Sequence, residues 1–305
     1  FRRMTESVGE VATGTTAPID AGAAMHRLMA ELYPICRSIT GDGVRQTLAI
    51  IGRHVHLDVS EVPSGIQVFD WTVPREWNIR DAWIKNAKGE RVVDFRNSNL
   101  HVVSYSVPVH RRVSLNELRA HLYSLPEHPD WIPYRTSYYN ENWAFCVSHR
   151  QLESLTEAEY EVCIDATLAD GSLTYAEHFL PGETDDEVLI SCHVCHPSLC
   201  NDNLAGISLS VFLAQHLARR TQRRYSYRFL FIHGTIGSIT WLARNGTTAG
   251  RIRHGMVVTC VGDSGPFTYK KSRRGDAEID RAVAHVLKHS ARPYVLQDFF
   301  PYGYD

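Results

Sequence analysis

An apolar, β-prone run from Val188 to Ile190 leads into His193, Cys195 and His196, and a short polar loop then presents Asp202 ahead of a helix-like run from Leu204. Imidazole, thiolate and carboxylate are the side chains that bind first-row metals, Zn²⁺ among them. In α/β proteins ligands bind beyond the carboxyl ends of the strands, which is where these residues fall. The pattern therefore points to a metal-dependent hydrolase site with His193, His196 and Asp202 as ligands. A closed structural zinc site needs a second Cys/His pair at short spacing, and the Asn201-Asp202-Asn203 stretch does not supply one. The same residues are also compatible with an ordinary loop, with Cys192, Cys195 and Cys200 as small buried apolar groups.

Two further strand ends carry polar residues, His233-Gly234-Thr235 after Tyr227–Ile232 and Gly262-Asp263-Ser264-Gly265 after Met256–Val261. Parallel strands would bring His193, Asp202, His233 and Asp263 to one rim. There His233 and Asp263 would assist catalysis, and an open coordination position would hold a water of lowered pKa. Local readings compete for each residue. Asp202, or either neighbouring Asn, suits a helix N-cap; His233 suits a turn, and Asp263 suits a Gly-rich turn. The basic run Lys270 to Gly275 reads as a solvated helix entrance or as an anion clamp near the rim.

The elements that must position these residues follow from periodicity. Helical spacing marks Ala21–Tyr33 and Val44–Ile51, and alternation at Val55, Leu57 and Val59 marks a strand. From Glu61 to about Cys163 the chain is dense in Pro, Trp, Tyr and short β-prone runs, which suggests a smaller β-rich domain set into a larger one. Its tryptophans fit core packing or a ligand platform. Beyond it, Tyr160–Leu168 alternates, a turn at Gly171-Ser172 leads Thr174–Leu180 to pair back on it, and Glu187–Cys192 is a buried strand. Leu204–Arg219 is a helix with Leu209, Phe212, Leu213 and Leu217 on its apolar face. Strands and helices then alternate through the helix Asp276–His289. The expected fold is α/β, a mostly parallel sheet with helices on both faces, interrupted by the β-rich domain. The expected division is a flexible arm over 1–20, the α/β domain over 21–60 and 161–305, and the insert over 61–160. The chain stops in what reads as a loop, so the α/β domain is expected to be incomplete on its C-terminal side.

Composition narrows the function. The 305 residues are 44% hydrophobic and 22% charged, with a formal net charge of −2. That balance suits a globular enzyme or binding domain and argues against a nucleic-acid or anionic-membrane partner. No apolar run approaches the roughly 18 residues that span a bilayer. Seven cysteines without a short regular framework fit a reducing compartment, so a cytoplasmic location is expected.

Pro181-Gly182-Glu183, the strand into His193, and Asn201-Asp202-Asn203 with Ala205-Gly206 resemble the core of zinc-dependent aminopeptidases of the leucyl aminopeptidase and glutamate carboxypeptidase type. Three phrases look like a bacterial family with an aminopeptidase-like domain: Leu32 to Gly41, His193 to Ser198, and Thr235 to Ile239. The resemblance implies a zinc peptidase-like α/β domain interrupted by a domain of unknown function, with His193 and Asp202 as ligands and His196, Cys195 and Asp263 as weaker carry-overs. A peptide-like or amide small molecule is the implied substrate. The chain departs from the pattern in two places. Cys195 stands where the aminopeptidases have the Asp of His-x-Asp, and the His233 loop lacks their Glu-Glu pair, while a late histidine ligand would fall beyond Asp305. Loss of a general base removes roughly 10²–10⁴-fold in rate, so a catalytically inactive relative that binds a ligand or partner is the alternative.

Overall fold

The computed structural model describes residues 20–138 and 140–301; the arm expected over 1–20 lies almost wholly outside them. The centre is a five-stranded mixed sheet in the order Asp58–Pro63, Ser172–Leu180, Ser226–Ile232, Glu187–His193, Ile252–Val257. The first two pairings are antiparallel and the last two parallel. The three parallel strands therefore end on the same edge, with Glu187–His193 in the middle of them.

Side-chain alternation divides the core between the two faces of this sheet. Phe229 and Phe231 point to the face covered by helices Ala21–Leu32, Asp42–Ile51 and Ala205–Ala218. Leu230 and Ile232 point to the opposite face, where helix Ile236–Arg244 contributes Trp241 and a second sheet packs. Burying side chains of that size stabilises the fold by roughly 1.5–3 kcal/mol each. Helix Ala205–Ala218 buries Ile207, Ser208, Ser210, Val211 and Ala214, whereas Leu209 is exposed. The apolar stripe expected through Leu209 is thus rotated. Small residues face inward because the helix lies against Ala21–Leu32, with Ser208 Oγ donating to the Met25 carbonyl at 3.1 Å.

The second sheet is antiparallel, in the order Arg91–Asp94, Glu76–Lys85, Glu159–Ala169, Val109–Ser114. Its Glu159–Ala169 strand does not pair with the strand that follows. Residues 172–180 instead enter the central sheet between Asp58–Pro63 and Ser226–Ile232. The burial pattern explains the difference. Residues 159–166 alternate and cover one side only, whereas Leu173–Ala176 are buried without interruption, as a strand with both faces covered requires. Trp77, Trp83 and Trp143 are buried, which settles core packing over a ligand platform for those three. No helix among the described residues is long and apolar enough to cross a membrane.

Candidate metal centre

Strand Glu187–His193 ends with His193 in register with Ile232, and the next backbone N–H, that of Val194, donates to the Ile232 carbonyl at 2.8 Å. The chain then leaves the sheet, passes His196 and returns through a kinked turn over Cys200–Leu204. Within it Asp202 (φ −117°, ψ 81°) and Asn203 (φ −145°, ψ 33°) lie outside helical geometry, and the peptide between them is cis. The kink sets the direction of the Asp202 side chain. Helix Ala205–Ala218 starts on Leu204 without a side-chain cap, so the N-cap reading does not hold, and the carboxylate turns toward the imidazoles.

His193 Nε2 lies 2.6 Å from Asp202 Oδ1, His196 Nε2 lies 3.9 Å from Asp202 Oδ2, and the two imidazole centroids are 4.9 Å apart. His193 is buried, His196 partly so, and Asp202 is open at the edge. The three residues form the one group of three or more potential metal-ligating side chains found among the described residues, their ligand atoms all within 4.8 Å of one another. At the tetrahedral angle, bonds of about 2.0–2.2 Å place two ligands of one ion about 3.3–3.6 Å apart, so the group would have to tighten by up to about an ångström to hold one ion. Two imidazoles and one carboxylate, with a solvent-facing side, could supply three ligands to an ion and leave a further position open. The donor set fits zinc.

The surroundings prepare these groups. The His193 N–H holds the Asp202 carboxyl below the usual carboxylate range, and the nearby imidazoles add to this, while partial burial works in the opposite direction. Asn203 is buried beneath His193, its Nδ2 donating to the Val258 carbonyl at 2.9 Å and lying 3.4 Å from His193 Nδ1. Cys195 is also buried, with Sγ 3.4 Å from His196 Nδ1 and accepting from the Gly234 N–H at 3.5 Å. The thiol therefore occupies an outer position behind His196, tied to the loop after the neighbouring strand.

Two expected residues stand apart from the group. His233 is fully buried, with Nε2 2.9 Å from the Thr174 carbonyl on the antiparallel neighbour strand. Asp263 sits in an exposed turn, accepting from the Gly265 N–H at 2.7 Å and from Asn201 Nδ2 at 2.9 Å. Sequence reasoning missed two others. Tyr134, on the segment that precedes strand Phe145–Cys146, places its ring 5.1 Å from that of His196, and its hydroxyl is 2.9 Å from that of Tyr138. Burial pushes both phenols up, that of Tyr138 to about 12. Arg37 donates from Nε to the His196 carbonyl at 2.9 Å. No local pattern could reveal the tyrosines, whereas Arg37 lies within a phrase that the sequence singles out.

The fold is α/β, with the candidate site at the carboxyl end of the middle parallel strand. The chain belongs to the family described as Domain of unknown function (DUF4910), whose model matches residues 26–305. A Clostridium acetobutylicum protein named "Putative polysaccharide biosynthesis protein with aminopeptidase-like domain" is 52% identical over 286 residues, which are 94% of this chain and 66% of that protein. The chain thus spans just under two thirds of that relative. A solved "putative peptidase" from Clostridium acetobutylicum matches with a TM-score of 0.92 at 52% identity, covering 93% of this chain and 67% of that one. BSAP, a zinc aminopeptidase from Bacillus subtilis, shares the fold with a TM-score of 0.64 at 12% identity, covering 91% of this chain and 79% of its own.

Proposed function

We propose that the chain is the aminopeptidase-like part of a zinc-dependent hydrolase acting on a peptide-like or amide small molecule. His193, His196 and Asp202 are its metal ligands, and residues 61–160 are an inserted β-rich domain. The observation that carries the reading is the convergence of two imidazoles and a carboxylate, through a kinked loop, at the carboxyl end of the middle parallel strand. Zinc in such a site acts as a Lewis acid on a carbonyl oxygen and lowers the pKa of a water.

The chain's own groups do the rest. His193 Nε2 and Asp202 share a proton at 2.6 Å, which must leave before both bind a cation, so affinity falls as the solution is acidified. The Tyr134 ring shields one side of His196 from water. Seven cysteines without a disulfide among the described residues favour a reducing compartment, in keeping with a cytoplasmic protein.

A second reading, a ligand- or partner-binding module without turnover, draws support from the lack of a second carboxylate in the group. Asp263 is engaged in its own turn and His233 is held in the interior. Metal analysis of the purified chain tests the first reading. Stoichiometric zinc that is lost in His193→Ala and in Asp202→Ala is the expected result, and a folded native chain without zinc affinity refutes it. Zinc binding without hydrolysis of aminoacyl anilides selects the second reading.

A further inference from the structure

The segment between the first two helices, Cys36-Arg37-Ser38-Ile39-Thr40-Gly41, is unusually polar for its burial. Arg37, Ser38 and Thr40 are each 1% exposed. No carboxylate pairs with Arg37 among the described residues, and its Nη2 is buried without a hydrogen-bond partner. Burial lowers its pKa to about 10, which leaves it charged at neutral pH. A buried cation without a counter-carboxylate is costly, so its remaining contacts indicate what it holds.

Those contacts join three parts of the chain. Nη1 donates to the Leu32 carbonyl at 2.8 Å, at the end of the first helix, and to Thr47 Oγ1 at 3.3 Å in the second. Nε donates to the carbonyl of His196, 159 residues away, at 2.9 Å. A second tie runs the other way, with Ser198 Oγ donating to the Tyr33 carbonyl at 2.7 Å. The loop carrying His196 is therefore pinned at residues 196 and 198 to the segment that follows the first helix. On its far side the same segment meets the β-rich part, through Ser38 Oγ to Ser104 Oγ at 2.7 Å and Thr40 Oγ1 to the Tyr105 hydroxyl at 2.5 Å.

We infer that Arg37 and Ser198 are positioning residues for the metal centre, fixing the backbone that carries His196 so that its imidazole faces Asp202. The inference rests on the metal-binding reading above. A guanidinium fork spans two helices and a loop in fixed directions, which a single ammonium cannot do. Outer groups that hold a ligand are worth about 10–100-fold in metal affinity.

The test compares Arg37→Lys and Ser198→Ala with Thr40→Val, which cuts only the tie to Tyr105 and to the Trp77 N–H. Zinc dissociation constants are measured by chelator competition, Co²⁺ visible spectra report ligand geometry, and melting of the metal-free chain reports folding. Arg37→Lys and Ser198→Ala should weaken zinc about tenfold or more and shift the Co²⁺ bands. Thr40→Val should lower the melting temperature and leave both metal readouts unchanged. If Arg37→Lys fails to fold, Ser198→Ala carries the test. Native zinc affinity and spectra in the folded variants overturn the inference, as does an equal loss in Thr40→Val. A native chain without zinc affinity instead overturns the metal-binding reading.

Discussion

Gly206 opens the helix behind the site, and replacing it with alanine separates two physical effects of opposite sign. Helix propensity alone makes Gly206→Ala stabilising by about 1 kcal/mol. Packing argues otherwise. A Cβ there would press into the Val258 carbonyl oxygen and the Asn203 amide, coming within 2.6 Å of Nδ2. Val258 is backbone and Asn203 is 3% exposed, so neither can yield cheaply. Overpacking costs about 1–3 kcal/mol, and losing the 2.9 Å bond from Asn203 to Val258 leaves a buried amide unsatisfied at about 1–3 kcal/mol. Set against the propensity gain, the net loss is about 3 kcal/mol. In a domain of this size that lowers the melting temperature by about 6–12 °C. Thermal unfolding followed by circular dichroism measures it. An unchanged or raised melting temperature would refute the packing argument and show that the loop gives way freely.

Two further expectations extend beyond the site. Glu76 accepts hydrogen bonds from Arg45, the Ser172 N–H and Asn78, and its pKa falls to about 2. The unfolded value is higher, so the stability it contributes is present above about pH 4–5 and is lost as pH falls toward 2; Glu76→Gln should flatten the acid limb of a denaturation–pH profile. No disulfide forms among the described residues, and of the seven cysteines only Cys200 and Cys260 are exposed. Thiol labelling of the native chain should modify these two first, and Cys146, Cys192 and Cys195 only after unfolding, as read by peptide mass spectrometry.

Local pattern was enough to mark most of the helices and strands. The helix over Ala21–Leu32, the strand over Glu187–His193 and the helix over Ile236–Arg244 are legible because their periods survive in the sequence. The same reading supplied the candidate ligands, since histidine and aspartate after a buried strand are chemically conspicuous. It could not say which would meet. Asp202 reads equally as a ligand and as a helix cap until the kink at Asn203 turns it toward His193, and His233 reads as a rim residue until Thr174 takes its nitrogen. Sheet exchange after Asp170 is equally invisible, because a turn looks the same whether the chain pairs back or departs to another sheet. Tyr134 and Arg37 reach His196 across gaps of 62 and 159 residues in the chain. Such contacts depend on how layers stack, and a period of two or 3.6 residues carries no information about separations of that length.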